Sequence, residues 1–159
     1  MSGGEIRVRR ARTSDIPHMV ELWKEYMEFH RKADTLYTPT KDAPKQWARW
    51  AAENIASRES CVLVAETNGN LAGFSLSEIA RRPPVMRKQR YGAILDLAVT
   101  ESFRRQGVAT RLFEETKRWF NKHRIDRIEL RVLTNNPVGA AFWRRMGFRT
   151  YLEVQFVDV

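Results

Sequence analysis

Hydrophobic residues recur at helical spacing in three long segments of the chain. The first segment begins after Thr13 or Ser14, either of which can cap a helix, and it runs to about His30. The second opens at Pro44, because proline suits the first turn of a helix. The third starts at Val108, where apolar residues return every three or four positions. The pattern therefore predicts three amphipathic helices, each with one buried side.

Shorter segments alternate between apolar and polar residues or form brief apolar runs, which is typical of β-strands. Between two of these segments, Asn68-Gly69 is a strong signal for a tight hairpin turn. The predicted strands cover residues 6–9, 61–66, 71–80, 94–99, 128–132 and 152–156. Helices that alternate with strands predict an α/β fold. No linker or internal repeat divides the sequence, so we expect residues 1–159 to form a single domain.

The strand predicted at 94–99 enters the third helix through a short turn with the pattern Arg104-x-x-Gly107-x-Ala109. The first N–H groups of a helix have no partner within it, and the helix dipole adds partial positive charge there. A phosphate can accept these hydrogen bonds where small residues let the backbone approach closely. Arg105 and the Thr110 hydroxyl add charge and a further donor. The segment therefore indicates either a phosphate site or a plain strand–turn–helix junction in which the glycine only eases the turn.

Two better-known phosphate signatures do not occur in the sequence. Neither Gly-x-x-x-x-Gly-Lys-Ser/Thr nor a Gly-x-Gly-x-x-Gly after a strand is found. Nucleotide hydrolysis and dinucleotide binding of the usual kinds are therefore not expected.

Composition and charge restrict the partners and the compartment. The net charge of +9 favours polyanions, which include nucleic acid, acidic lipid and small molecules with several phosphates. No apolar run approaches the roughly 20 residues that cross a bilayer, and residues 1–5 lack the hydrophobic core of a signal peptide. Cys61 is the only cysteine and lies in a predicted strand, so we interpret it as a core residue. A reducing cytoplasm is the expected location.

A fourth, shorter helix has both of its ends marked within residues 135–148. Asn136 can cap it, Pro137 suits its first position, and Gly147 ends it. Together with the turn before the third helix, this segment resembles the acetyl-CoA-dependent N-acyltransferases of the GNAT superfamily. The turn matches the family's pyrophosphate pattern Arg/Gln-x-x-Gly-x-Gly/Ala. The short helix matches its pattern Asn-x-x-small-x-x-x-aromatic-x-x-x-Gly-Phe, and the two motifs stand in the family's order.

The resemblance covers about residues 5–159 and implies a GNAT-like fold. This is a mixed, mostly antiparallel central sheet of six to seven strands, flanked by about four helices. The implied activity is transfer of an acetyl group from acetyl-CoA to a primary amine of a small molecule or protein, by direct attack in a ternary complex. A homodimer stays open, since the C-terminal strands often mediate dimers in this family. Membrane, nucleic-acid and metal partners are not expected.

The resemblance also implies a set of cofactor contacts. The fourth strand would pair through its backbone with the pantetheine arm, and the turn and first amides of the third helix would cradle the pyrophosphate. Two residues of the fourth helix segment would lie beside the pantetheine or the thioester. The implied residues are Leu97, Ala98, Val99, Arg104, Arg105, Gln106, Gly107, Val108, Ala109, Thr110, Asn136 and Trp143.

Acetyl transfer needs a neutral amine, a polarised thioester carbonyl and a proton for the departing thiolate. Asp96 is the candidate base, with Glu78 on the neighbouring strand, because desolvation can raise the pKa of a carboxylate there. A structural role for Asp96, with a water chain taking the proton, is the alternative. At the position of Trp143 the family usually carries a tyrosine that is often assigned as the acid. An indole donates a hydrogen bond but does not release its proton. Trp143 would then stabilise the thiolate or pack against the acetyl group, while Tyr151, a water or the attacking ammonium supplies the proton.

The acceptor site is the least defined part. In the family, the segment around the first two helices forms much of its wall, so His30 and Tyr37 are candidates to contact substrate, and Glu78 is a further one. A solvated loop with one packed tyrosine is the alternative for residues 30–43. Residues 81–90 carry five basic side chains and form either a solvated loop or part of a site for an acidic substrate. Two other functions stay open: a non-catalytic acyl-CoA-binding module, because of Trp143, and a nucleic-acid-associated protein, because of the charge.

Overall fold

The computed structural model describes residues 4–159, so part of the N-terminal segment that bears on the signal-peptide expectation lies outside the described residues. Four helices and five strands follow one another, and α3 and α4 begin at the predicted residues. Short 3-10 turns lie at Thr13–Asp15, Thr35–Tyr37 and Glu101–Phe103. The elements are β1 (Arg7–Arg10), α1 (Ile16–Ala33), α2 (Ala43–Ala56), β2 (Ser60–Thr67), β3 (Asn70–Arg81), β4 (Arg90–Val99), α3 (Val108–Lys122), β5 (Ile128–Leu130) and α4 (Pro137–Arg145).

The strands form a single sheet in the order β1-β2-β3-β4-β5. The first four strands pair antiparallel, and β5 joins β4 in parallel. The turn between β2 and β3 has positive φ at both Asn68 and Gly69, the geometry that matches the twist of a two-residue hairpin. The predicted hairpin is therefore confirmed.

Helices cover both faces of the sheet. On one face, α1 and α2 place Trp23, Trp47 and other apolar side chains against Phe74 and Leu76 of β3. On the other face, α3 packs Leu112 and neighbouring apolar residues against β2 and β3. α4 then packs beside α3 through the aromatic rings around Phe113. The sheet thus lies between two hydrophobic layers, the arrangement expected of an α/β domain.

A β-bulge interrupts the pairing between β3 and β4. Leu76 opposes Asp96 while Ser77 opposes Ile94, so Leu95 is the extra residue on β4. The parallel pairing with β5 covers only Gly92 to Ile94 of β4. Beyond the bulge, β4 and the chain that follows β5 have no mutual pairing in the described residues. This divergence opens the sheet at the position where the cleft described below lies.

The prediction of six to seven strands is wrong for the described residues, which form five. The segment predicted as a strand at 152–156 forms no ladder, and its apolar residues are exposed, including Phe156 at 88%. Alternation alone does not make a strand when no free edge of sufficient length is offered, and β5 has only three residues. The predicted strand at 128–132 is likewise cut short at Leu130, because the chain leaves β4 there. The α/β class and the four helices are confirmed.

Ion pairs tie down much of the arginine-rich segment at 81–90. Arg81 pairs with Glu59 at 2.7 Å, Arg82 pairs with Glu129, and Lys88 pairs with Asp126 at 2.7 Å. These contacts favour the interpretation as a connecting loop held to its neighbours. Within residues 4–159, every helix is too short or too polar to span a bilayer.

Candidate active site

A cleft of about 830 Å³ lies where the sheet opens, which is within the roughly 300–1,000 Å³ of typical small-molecule sites. Its floor is β4 from Ile94 to Val99, and α4 with the loop before it forms one wall. The C-terminal half of α1 forms the opposite wall. One end of the cleft is closed by the turn that leads into α3. The cleft therefore joins the two sequence motifs that are far apart along the chain.

The turn at the start of α3 offers a row of free backbone donors. Arg105 and Gly107 both have positive φ, 59° and 85°, so the chain reverses sharply twice just before the helix. Among the hydrogen bonds of residues 4–159, none uses the amides of residues 105–110 as donors. A Cβ added at Gly107 would meet no atom within 4 Å, so the space in front of this glycine is open. Successive free amides at a helix start form an anion site. The residues present thus fit the diphosphate of coenzyme A.

Side-chain contacts hold this turn to α1. Both carboxylate oxygens of Glu25 accept hydrogen bonds, at 2.7 Å from the backbone N–H of Glu101 and at 2.8 Å from the Thr100 hydroxyl. Arg104 donates to the carbonyl of Val99 at 3.2 Å and lies 3.5 Å from Glu25. Gln106 donates to the carbonyl of Ser102 at 3.1 Å and does not line the cleft. The turn is therefore positioned before any ligand binds.

β4 presents an unpaired edge to the cleft. Leu97, Ala98 and Val99 pair with β3 on one side, and no strand of the described residues pairs with them on the other. All three line the cleft. A free strand edge can bind an extended chain that carries amide groups, as the pantetheine arm does.

The α4 wall brings Asn136 and Trp143 to the same cleft. Asn136 is buried, and its side-chain oxygen accepts the N–H of Gly139 at 2.9 Å, which confirms the predicted cap. Trp143 packs edge-on against Phe113 and Phe148, with centroid distances of 5.7 and 5.2 Å. Its indole nitrogen has no acceptor among the described residues, yet the atom is not fully buried. The indole N–H is thus free to donate.

The Asp96 side chain lies next to the cleft but does not line it. Its side chain projects toward α2, where the Trp47 indole donates to Oδ2 at 3.1 Å. Desolvation raises the pKa of Asp96, while the hydrogen bond from Trp47 and the nearby His30 oppose that rise. Burial, with the charge of Asp96, also raises the pKa of Tyr26. Asp96 has the shifted acidity predicted for it, but it is not among the residues that line the cleft.

Aromatic side chains from the C-terminal half of α1 line the cleft along its α1 wall. His30 lines it, together with Tyr26 and Phe29. Tyr37 lies outside the lining, with its ring 5.9 Å from that of His30. His30 and Tyr37 were predicted from the sequence to contact substrate, whereas Tyr26 and Phe29 were not. Tyr26 lies four residues before His30 and Phe29 lies one residue before it, so all three are near one end of the same helix, and this spacing was the available signal.

Besides Gln106, Asp96 and Tyr37, two further predicted site residues lie outside the cleft lining. Glu78 lies on β3 opposite Ala93, away from the lining. Tyr151 donates through its hydroxyl to Glu129 at 2.8 Å, and the guanidinium of Arg127 lies 4.5 Å from its ring centre. In this arrangement the Tyr151 hydroxyl is engaged at the sheet edge, outside the cleft.

Four arginines line the cleft, two of which the sequence analysis did not name. Two of the four are in the turn before α3, one follows β5, and one is on α4. They are Arg104, Arg105, Arg131 and Arg145. The lining carboxylates are Glu25, which is already hydrogen-bonded, and Glu101. The cleft is therefore positive.

Free amides at a helix start, an open strand edge and a positive cleft fit a coenzyme A thioester, which carries a diphosphate and an arm with amide groups. The chain belongs to the acetyltransferase (GNAT) family, whose family model matches residues 18–148. Family membership makes the protein an N-acetyltransferase with acetyl-CoA as its cosubstrate, which confirms those predictions.

Individual relatives are distant but match over most of their lengths. An N-alpha-acetyltransferase of Sulfurisphaera tokodaii is 23% identical over 156 residues, which cover 92% of this chain and 82% of the relative. The crystal structure of a variant of the BH1408 protein of Bacillus halodurans has a TM-score of 0.85 and 23% identity, with 96% of this chain and 99% of that chain covered. A predicted acetyltransferase of Clostridium acetobutylicum, crystallised with acetyl-CoA, has a TM-score of 0.79 and 20% identity, with 97% and 96% covered.

Proposed function

We propose that this enzyme acetylates a primary amine of a small molecule or protein, and that amine and acetyl-CoA are held in the cleft together for direct attack. The observation that carries the proposal is the presence of two unlike surfaces in one cleft. The turn before α3 offers the free amides of residues 105–110, and the α1 wall offers aromatic rings with an imidazole. Holding two reactants in the correct orientation alone contributes about 7–11 kcal/mol to such a reaction.

The chain's own residues divide into three groups around the cosubstrate. The amides of residues 105–110 hold the diphosphate, and the free edge of β4 holds the pantetheine arm. Asn136 and Trp143 lie at the α4 wall, where the Trp143 N–H is available to stabilise negative charge on sulfur. Acetyl-CoA supplies the acetyl group as a thioester, a form that an amine displaces readily.

The charge of the cleft supports an acceptor that is neutral or acidic apart from its amine. Four arginines and two glutamates, Glu25 and Glu101, line the cleft, so positive side chains outnumber carboxylates there. A polycationic amine would meet like charges there, which is unfavourable. The α-amine of a peptide or an amino acid fits this charge, and the name of the Sulfurisphaera tokodaii relative agrees with such an acceptor. We propose a cytoplasmic location, which suits the free thiol of buried Cys61.

A non-catalytic acyl-CoA-binding module is the second candidate, and Trp143 is the observation that favours it. An indole supplies no proton to a leaving thiolate. Both candidates require coenzyme A binding, so turnover alone separates them.

The decisive experiment measures release of free thiol from acetyl-CoA in the presence of a panel of amines, with coenzyme A affinity measured by calorimetry. The panel contains amino acids, acidic peptides, neutral peptides and polyamines. We expect turnover with neutral or acidic acceptors and weak turnover with polyamines. Binding without turnover on any amine would favour the non-catalytic module, and absence of binding would overturn both.

A further inference from the structure

We propose that His30 is the catalytic residue that removes the proton from the ammonium group of the acceptor, an assignment that rests on the proposed function. The imidazole lines the cleft on the α1 wall. One ring nitrogen is fixed by the backbone, and the other is free. This combination leaves a proton acceptor on the α1 wall of the cleft.

The backbone sets which nitrogen of His30 carries hydrogen. Nδ1 lies 2.8 Å from the carbonyl oxygen of Tyr26. Because a carbonyl only accepts hydrogen bonds, Nδ1 must be the protonated nitrogen, and in the neutral ring Nε2 then holds a lone pair. No hydrogen bond among residues 4–159 uses Nε2 of His30. The tautomer is therefore the one that accepts a proton from a ligand.

Three aromatic rings fix the orientation of the imidazole. The centroid of the His30 ring lies 4.2 Å from that of Tyr26, 5.7 Å from that of Phe29 and 5.9 Å from that of Tyr37. The electron-rich faces of such rings also attract an ammonium group. An acceptor amine is thus drawn to the position where Nε2 is available.

The titratable groups around His30 are two tyrosines and one carboxylate. The titratable groups that surround the imidazole are Tyr26 on the same helix, Tyr37 on the following turn and Asp96 on β4. Trp47 holds the Asp96 carboxylate beside α2, and this carboxylate does not line the cleft. In this scheme Asp96 therefore does not contact the acceptor, whereas His30 does.

The proposed step conserves atoms and charge. An N–H bond of the ammonium breaks, and its proton forms a new bond to Nε2 of His30. The electron pair of the broken bond stays on the amine nitrogen, which becomes the nucleophile. The imidazolium then returns the proton to water. One proton is released for each amide formed from an ammonium and a thioester, and it is the proton that His30 carries.

His123 provides a matched control within the same chain. Its Nδ1 also lies 2.8 Å from a carbonyl four residues earlier, that of Trp119, and its ring lies 4.4 Å from the Trp119 ring. His123 follows the end of α3 and does not line the cleft. A purely structural role at a helix end would be shared by both histidines, whereas catalysis would depend on His30 alone.

The test compares His30→Gln, His30→Ala and His123→Gln for turnover across pH and for coenzyme A affinity. General-base catalysis contributes about 10²–10⁴-fold, so we expect His30→Gln to lose that much in kcat. Its kcat/KM should rise steadily with pH toward the ionisation of the free amine instead of reaching a plateau. Added imidazole should restore turnover to His30→Ala. His123→Gln should keep both activity and pH profile, and coenzyme A affinity should be unchanged in all three.

Each outcome separates the hypotheses. If His30→Gln and His123→Gln behave alike, with the same pH profile as the native enzyme, the assignment is overturned while the proposed function stands. If the native protein turns over no amine, both are overturned together. A readout that needs no variant is the nitrogen NMR of the native imidazole. Hydrogen on Nε2 instead of Nδ1 in the neutral ring would also overturn the assignment.

Discussion

Trp47 and Asp96 are joined across the sheet interface by a hydrogen bond of 3.1 Å from the indole N–H to Oδ2. The two residues are 49 positions apart in sequence, on α2 and β4. This contact satisfies one oxygen of a carboxylate in a largely apolar layer that also contains Trp23 and Phe74. It keeps Asp96 pointing toward the helices, beside the cleft that His30 lines.

Asp96 should make the stability of the protein depend on pH. Desolvation raises its pKa in the folded state, so the folded protein favours the protonated form. The stability this group contributes is fully present below its unfolded pKa and is lost as pH rises through the raised folded pKa. We therefore expect the free energy of unfolding of the native protein to fall as pH rises through that range, compared with that of Asp96→Asn. Urea denaturation at a series of pH values measures this difference.

Asp126→Asn is the control for that experiment, because the sign is opposite. The hydrogen bond from Lys88 lowers the pKa of Asp126, so any stability from this group is present above its unfolded pKa and is lost as pH falls. Asp126 is exposed, and the effect should be small. Parallel stability curves for the native protein and Asp96→Asn would contradict the environment described for Asp96.

Among the charged side chains of the N-terminal segment, Arg9 should contribute most to the free energy of unfolding. It donates to both oxygens of buried Asp15 at 2.8 and 2.9 Å and also pairs with Glu66 at 2.6 Å. Arg9→Gln leaves the Asp15 carboxylate without its main partner, which should lower the free energy of unfolding by about 2–3 kcal/mol at neutral pH. Arg7→Gln, at an exposed position of the same strand, should change it by less than about 0.5 kcal/mol.

The Arg9 effect should also fade in acid. The hydrogen bonds from Arg9 lower the pKa of Asp15, so this stabilisation is present above the unfolded pKa and is lost as pH falls through the folded one. Urea denaturation of the native protein and Arg9→Gln should therefore converge at low pH. A constant difference across pH would show that the loss comes from packing instead of charge.

The elements that the sequence predicted well are those fixed by local chemistry. Asn136 caps α4 through its own side chain, and Asn68-Gly69 turns the chain with positive φ at both residues. The free amides before α3 follow from the position of Gly107 at the helix start. In each case the residues that determine the geometry are neighbours in sequence, so the pattern was sufficient.

The features that the sequence did not predict depend on distant partners. The apolar run at 94–99 reads as an uninterrupted strand, yet the bulge at Leu95 shifts the faces, and its cause lies in the pairing with β3. Nothing near Trp47 in sequence indicates a carboxylate partner, because Asp96 is 49 positions away. Tyr151 was one candidate proton donor because Trp143 cannot release a proton, whereas its hydroxyl donates to Glu129 at the sheet edge.

Gly107→Glu should weaken coenzyme A binding. The added side chain would project into the open space before the free amides, where its charge would oppose a diphosphate. We expect at least a tenfold loss of affinity, about 1.4 kcal/mol, by calorimetry. Gly69→Glu is the matched control, because Gly69 also has positive φ, 77°, and open space around its Cβ position but lies in the β2–β3 turn. Both variants should lose similar stability from backbone strain. Equal coenzyme A affinity in the two variants would rule out the turn as the phosphate site.

Trp143→Phe and Trp143→Tyr together should separate packing from hydrogen bonding at the α4 wall. Both substitutions remove the larger indole from its contacts with Phe113 and Phe148, so both should lose about 1–3 kcal/mol of stability.

Only tyrosine keeps a donor that can reach the departing sulfur. If the indole N–H stabilises the thiolate, Trp143→Phe should lower kcat by about 10-fold or more, since removing one such donor costs up to about 10²–10³. Trp143→Tyr should then turn over at least ten times faster than Trp143→Phe, because its hydroxyl can also give up a proton. Thiol release at saturating substrate measures kcat, and equal values for the two variants would mean that Trp143 serves only to pack the cleft wall.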